Sequence, residues 1–450
     1  MTKKISLLMH LFVALLFISR SWAQADATKS FTLKEALDYA LKNNVNNLNA
    51  SLDDQIAKSY NKEIRGIGFP QINGSFDVKD FVEIPTSLIP AEFFGGAPGS
   101  YAPVKFGTQY NSAASLTASQ IVFSSDYFLA LKASKTLLEL SKKSGDRTRI
   151  ETQVAVMKAY YAVLVFRENL KLLNTDLERQ KTYYDQMKAY NENGMNDKTD
   201  VEVAELSYNN ALASIESQQR LVQLTEFSLK FQMGMDINTP IQLSDSISLF
   251  DNVNENIKVD TKANFSNRIE YQLLENQRKL NHLELKRYRL SYLPSIGAYG
   301  SASAAAQRSK FDIFDTNKGW YPTVVIGATL NLPIFDGFQK HFKIQQTKLK
   351  IQKTENTIKS FESIADLEAS YARANYQKSI NNLRLQKKNI ALAESVYNSS
   401  RTKYIEGVGS NLEIVNAETM LRAAHTAYYG ALFDYLNSLV DWDKANGNIK

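Results

Sequence analysis

The 450-residue chain contains no cysteine, which excludes disulfides, thiolate metal sites and lipid attachment at an N-terminal cysteine. Beyond its first two dozen residues it has no apolar run approaching the roughly 20 residues of a transmembrane helix. A mature chain that enters a membrane must therefore do so as a β-barrel. Histidine is scarce: His10, His282, His341 and His425 stand singly, without a partner one helical turn away. No P-loop, nucleophile elbow or HExxH pattern occurs. The glycines of "GIG" at 66 and "GVG" at 407 are isolated turn glycines rather than phosphate cradles. Asp53 and Asp54 are adjacent, so on a helix they point about 100° apart and form a poor acid–base pair. The sequence thus offers no enzyme active site and calls for no cofactor or metal. Net charge is +6 and falls to +3 without Lys3, Lys4 and Arg20, too small an excess to indicate nucleic acid as a partner.

What is present begins with Lys3 and Lys4, an apolar run from Ile5 to Ile18, and small residues at Ser21 and Ala23. This reads as a secretory signal peptide over residues 1–23, and the run is too short for the alternative of an uncleaved anchor. Two copies of one pattern follow. Phe123 repeats as Phe335 at an offset of 212, while Gly194 with Gly407, Ala204-Glu205 with Ala417-Glu418, and Gly234 with Gly447 repeat at 213. The halves are 31–235 and 264–448, joined by an Asp- and Asn-rich segment at 235–263, and each reads as helix, two strands, long helix, turn, helix.

The first helix opens on Thr32 with Glu35 three residues on, a capping box, and runs to about Ile64, where two glycines and Pro70 forbid continuation. Its counterpart ends at Pro294. Strands are expected at about 69–82, 108–123, 294–307 and 320–335, with period-2 alternation. In the last of them Trp320, Val324, Ile326, Leu330 and Leu332 share one face, and Tyr321, Thr323 and Asn331 lie on the other. A lipid-facing barrel and a soluble sheet with one wet face both produce this alternation. "FFGGAPGSYAP" from Phe93, between two strands, reads as an exposed loop.

The long helices carry a 3.5-residue period. Ile414, Ala417, Leu421, Ala424, Tyr428, Ala431 and Tyr435 form a seam, matched at 213 by Val201, Ala204, Tyr208, Ala211, Ile215, Gln218 and Val222. Helical pattern from Ser124 to Tyr190, weakened only around Gly145, would give a helix about 100 Å long. Gly194 in one copy, Gly407 and Gly409 in the other, mark the tips where the long helices reverse. Four strands per chain are fewer than the roughly eight of the smallest membrane barrels, so membrane entry requires an oligomer. A trimer supplies twelve strands.

"FTLKEALDYALKNN", "NRIEYQLLENQRKL" leading to "YLPSI", "LPIFDGF" and "GVGSNLEIVNAE", in this order and duplicated spacing, resemble the TolC-like outer-membrane efflux family. The resemblance covers 31 to about 447. It implies a mainly α fold with a β-barrel portion: a homotrimer with a twelve-stranded barrel in the outer membrane, a helical tube across the periplasm, and 235–263 in a belt midway. It further implies an exit duct working with a periplasmic adaptor and an inner-membrane pump of RND or ABC type. Glu413 and Asn416 match the two acidic positions of the family's constriction, only the first being acidic here, and a ring of three Glu413 carboxylates would favour cations. Asp200 and Tyr404 match positions that hold the closed helices together, and Gly409 replaces their arginine partner. A type I protein-secretion duct, or a soluble periplasmic coiled-coil adaptor or scaffold, are the alternatives.

Overall fold

The computed structural model describes residues 29–247, 265–315 and 317–449. The signal peptide at 1–23 and the 248–263 part of the linker lie outside the described residues.

The first half comprises β1 (Lys29–Phe31), α1 (Leu33–Asn43), α2 (Val45–Gly66), β2 (Gln71–Asp80), β3 (Thr86–Pro90), β4 (Tyr101–Lys105), β5 (Tyr110–Phe123), α3 (Ser125–Glu192) and α4 (Lys198–Met233). After β6 (Ile241–Leu243) come α5 (Ile269–Leu290), β7 (Ser295–Arg308), β8 (Tyr321–Asn331), α6 (Gln339–Ile405) and α7 (Asn411–Ala445). The chain forms two compact units that are not the two sequence halves. Of the described residues, one contains 29–53, 142–247, 265–273 and 358–449, and the other 54–141, 274–315 and 317–357.

The first unit buries an apolar core around Tyr160, Val163, Leu229, Met233, Leu432 and Leu436. The two seams face inward, with Ala204, Ala211 and Ile215 of α4 and Ile414, Ala417, Leu421, Ala431 and Tyr435 of α7 all buried. Thr32 caps α1 reciprocally with Glu35, whose carboxylate accepts the Thr32 N–H at 2.8 Å. Asp245 accepts the Leu33 N–H at 2.7 Å and the Tyr160 hydroxyl at 2.8 Å. It closes the short parallel pairing of β1 with β6, which has too few residues to show a period.

The single helix expected over 32–64 is two helices. Asn44 leaves the helical region at ψ 130° while its N–H still bonds Ala40 O at 2.9 Å. Its side chain accepts from Asn46 N at 2.9 Å to start α2, and donates to Gln232 O at 2.8 Å. One asparagine therefore ends one helix and caps the next. No comparable break occurs at Gly145, across which α3 is continuous.

The second unit holds an antiparallel sheet in the order β2-β5-β7-β8. The fourth strand stops at Asn331, short of the expected 335, because its partner β7 begins at Ser295 and Pro333 has no N–H to donate. The segment expected as a plain loop at Phe93 carries structure: β3 and β4 pair as a hairpin across Ala91–Phe94, a turn of 3-10 helix.

Candidate functional site

Two places carry the functional geometry, one in each unit: the sheet, and the turns joining α3 to α4 and α6 to α7.

Strand register decides which side chains share a face. Phe76 pairs with Ala114, Ala114 with Ala304 and Ala304 with Pro322. Parity then places Ile72, Phe76 and Val78, Ala114, Leu116 and Ala118, Ala298, Ala302 and Ala304, and Val324, Ile326 and Leu330 on one side. Trp320, just before β8, belongs to that side, its ring 6.2 Å from Phe76. Leu332 lies just after the strand. The opposite side carries Gln71, Asn73, Ser75, Asp77 and Lys79, joined across strands by hydroxyl pairs Ser75–Ser115 at 2.8 Å and Thr117–Ser301 at 3.3 Å.

Ile326 is 87 % exposed, Val324 72 % and Ile72 66 %. A face this apolar and this open calls for a nonaqueous neighbour. At 10 to 14 residues the four strands meet the roughly 9–11 that a tilted strand needs to cross a bilayer. Exposed aromatics gather at both sheet ends, with Phe69, Phe123, Phe128 and Phe335 at one and Phe311, Phe314 and Tyr321 at the other, as in the interfacial girdles of membrane barrels. The outer edges of β2 and β8 have no partner among the described residues.

The two turns are built alike. Gly194 and Gly407 sit at φ 70° and 73°, and Met195 N–H bonds Tyr190 O at 2.8 Å as Val408 N–H bonds Lys403 O at 2.9 Å. This is the glycine-ended helix stop in which a left-handed residue satisfies the last carbonyls. Gly409 serves differently, since a Cβ there would lie 3.0 Å from Tyr404 N. Asp200 and Tyr404 are brought into one neighbourhood, where burial first and Asp200's charge second push the Tyr404 hydroxyl pKa up. Asp200 Oδ1 accepts from Asn411 Nδ2 at 2.6 Å, and the Tyr404 hydroxyl points to Met187 Sδ at 3.7 Å. Asn411, two residues past Gly409, was not marked by any sequence pattern. Glu413 and Asn416 are both exposed, three apart on α7, and Glu413 N–H bonds the capping Ser410 hydroxyl at 3.3 Å.

Further along these helices is a charged cluster the sequence reading missed. Asp176 is 3 % exposed and Glu418 4 %. Arg179 reaches Asp176 at 3.0 Å, as does Arg422 at 3.3 Å. Burial, then the charge of Asp176, raises the Glu418 pKa, while Arg179, Gln180 and Arg422 oppose the shift. Its repeat counterpart Glu205 is exposed, so equal register has given opposite environments. A raised folded-state pKa makes Glu418's contribution to stability fullest below the ordinary carboxylate range, and that contribution is lost as pH rises through the raised value. Glu418→Gln is therefore expected to raise the thermal midpoint at pH 7–8 and flatten its pH dependence between those two values, as followed by melts of the detergent-solubilised protein.

No group of acidic, histidine or cysteine side chains able to hold a metal occurs among the described residues. Nor is any helix there long and apolar enough to cross a membrane.

The profile of the family described as "Outer membrane efflux protein" matches residues 100–235 and 272–448. The chain belongs to the outer membrane efflux protein family. It is 24% identical over 347 residues to the probable efflux pump outer membrane protein TtgC of Pseudomonas putida, covering 76% of this chain and 69% of that protein. The outer membrane channel CmeC of Campylobacter jejuni has the same fold, with a TM-score of 0.73 at 16% identity over 96% of this chain and 91% of that one. A more distant relative, the alkaline protease secretion protein AprF of Pseudomonas aeruginosa, is 21% identical over 308 residues, 66% of this chain and 62% of that protein. Family membership makes this an outer-membrane efflux channel extending into the periplasm. It sets aside the soluble adaptor or scaffold, whose sheet would not leave Val324 and Ile326 bare.

Proposed function

We propose that three copies form a passive exit duct for small molecules such as drugs, closed at its periplasmic end by the helical turns. The observation that carries this is the register of the sheet. It collects every apolar strand face on one side and every polar one on the other, with both edges open, so that three sheets joined edge to edge make a twelve-stranded barrel, oily outside and wet within. Trp320, Val324, Ile326, Leu330 and Leu332 face lipid, and the serine and threonine ladder lines the lumen. The duct catalyses nothing. Energy comes from an inner-membrane pump of RND or ABC type, reached through a periplasmic adaptor that engages the helical turns.

At those turns Asp200, Asn411 and Tyr404 hold the hairpin of α3 and α4 to that of α6 and α7, with the Asp200–Asn411 bond in the place of an arginine link. Three copies of Glu413 form an acidic ring beside Asn416 that favours cations. The similarity to TtgC, an efflux pump component, supports small-molecule cargo, and the lower similarity to AprF favours protein cargo less.

Detergent extraction of the outer-membrane fraction followed by light scattering is expected to give a trimer, and a water-soluble monomer would overturn the reading. For the latch, Asp200→Ala combined with Asn411→Ala is expected to raise single-channel conductance in planar bilayers several-fold. Cells should become more susceptible to a large antibiotic such as vancomycin. Unchanged conductance would remove the latch assignment.

A further inference from the structure

We infer that the helix ends beside the sheet form a basic collar that binds anionic phospholipid headgroups in the periplasmic leaflet. The four strands reach the helices at one end of the sheet, the end marked by Gln71, Phe123, Ser295 and Asn331. Within the first two turns there, α2 carries Lys62 and Arg65, α5 carries Lys286, Arg287 and Arg289, and α6 carries Lys340 and Lys343. Against them stand Glu63, Asp126, Glu284 and Asp336, and three of these four are already engaged. Asp126 pairs with Arg287 at 3.0 Å, Glu284 with Lys350 at 3.0 Å, and Asp336 lies 4.0 Å from Lys340. Lys62, Arg65, Lys286, Arg289 and Lys343 are exposed and make no ion pair among the described residues. The opposite end of the sheet is balanced: residues 79–110 and 308–320 hold Lys79, Lys105, Arg308, Lys310 and Lys318 against Asp80, Glu83, Glu92, Asp312 and Asp315.

Depth supports the same ligand. Exposed Phe69, Phe128, Tyr292 and Phe335 lie between the cations and the strands, and Lys340 Nζ sits 5.1 Å from the centre of the Tyr292 ring. Aromatic rings mark the interface, and long cationic side chains just beyond them reach the phosphate level. Clustered lysine and arginine beside a membrane attract anionic lipid by about 1 kcal/mol, roughly fivefold, per charge. The inference rests on the outer-membrane placement of the sheet, and not on the trimer, cargo or gate.

The test uses the full-length protein in detergent, loaded from mixed micelles with phosphatidylglycerol or with phosphatidylethanolamine. Bound lipid is counted by native mass spectrometry after gel filtration. Phosphatidylglycerol retention is expected to exceed that of phosphatidylethanolamine by at least about tenfold in 50 mM salt, and the preference to shrink in 500 mM. K62Q/R65Q/K286Q/R289Q/K343Q should lose the preference at an unchanged elution volume. The charge-keeping K62R/R65K/K286R/R289K/K343R and the remote K181Q/K188Q should retain it. Equal retention of the two lipids by the wild-type protein overturns the collar while leaving the membrane placement intact, whereas retention of neither lipid overturns the placement itself. Preference surviving in the glutamine variant, or lost in the charge-keeping one, also overturns it. So does salt-sensitive binding to purified peptidoglycan without a lipid preference, which would assign the cations to an anionic glycan.

Discussion

Lysine at both Val324 and Ile326 is expected to keep the protein out of the outer membrane, while lysine at Thr323 or Thr329 leaves its insertion nearly unchanged. Val324 and Ile326 stand in the middle third of β8, on the apolar side, at 72 % and 87 % exposure. A lysine facing lipid near the bilayer midplane costs about 2–4 kcal/mol. Two per chain then cost about 4–8 kcal/mol, comparable with the whole stability of an ordinary domain. Thr323 and Thr329 alternate with these residues and share the side of Ser303 and Gly297, so in the proposed barrel a lysine there meets the aqueous lumen. The experiment compares outer-membrane abundance and the heat-modifiable band on unboiled gels for the double lipid-face variant and the single lumen-face variants. Equal loss from both faces would mean that the sheet does not separate lipid from water.

The second large effect is expected from stranding the buried carboxylates. Arg179→Met with Arg422→Met removes both cations that reach Asp176 and leaves Asp176 and Glu418, 3 % and 4 % exposed, side by side without compensation. Breaking a buried ion pair from one side costs about 3–5 kcal/mol, because the remaining charge has lost its solvent and its partner. The sign with pH follows from the carboxylates. The raised folded-state pKa of Glu418 rises further once the two guanidinium groups that lower it are gone, so the variant's stability recovers as pH falls towards the carboxylate range and is worst above neutrality. Adding Asp176→Asn and Glu418→Gln to the two methionines should restore much of the loss, since amides of the same shape carry no charge. Thermal melts of all three proteins between pH 5 and 8 test this. A double-methionine variant as stable as the wild type at pH 8 would show that water reaches the cluster.

Much of the fold was legible because its determinants are local. The capping pair Thr32 and Glu35, the glycines 194 and 407, and the 3.5-residue seams of α4 and α7 each concern neighbours in sequence or one turn apart. Asp200 and Tyr404 were reached through resemblance at matched positions, and the structure bonds Asp200 to Asn411 with Tyr404 in the same neighbourhood. The misses have physical causes. Asn44 breaks the first helix through a side-chain bond to Gln232, 188 residues away. The strands β1 and β6 are too short to show alternation, and the β3–β4 hairpin sits in a stretch rich in glycine and proline.

By itself, then, the sequence determined the duplicated order of the long helices and the four long strands, the turns and the two-faced character of those strands, since periods of 2 and 3.5 residues are written along one chain. Only the tertiary structure decided which strand faces coincide, because a one-residue slip in register would move every side chain of a strand to the other side. It alone decided that Glu418 is buried beside Asp176 while its repeat partner Glu205 meets solvent. Whether a charge is buried depends on what the other helices place against it, and no spacing along one helix encodes that.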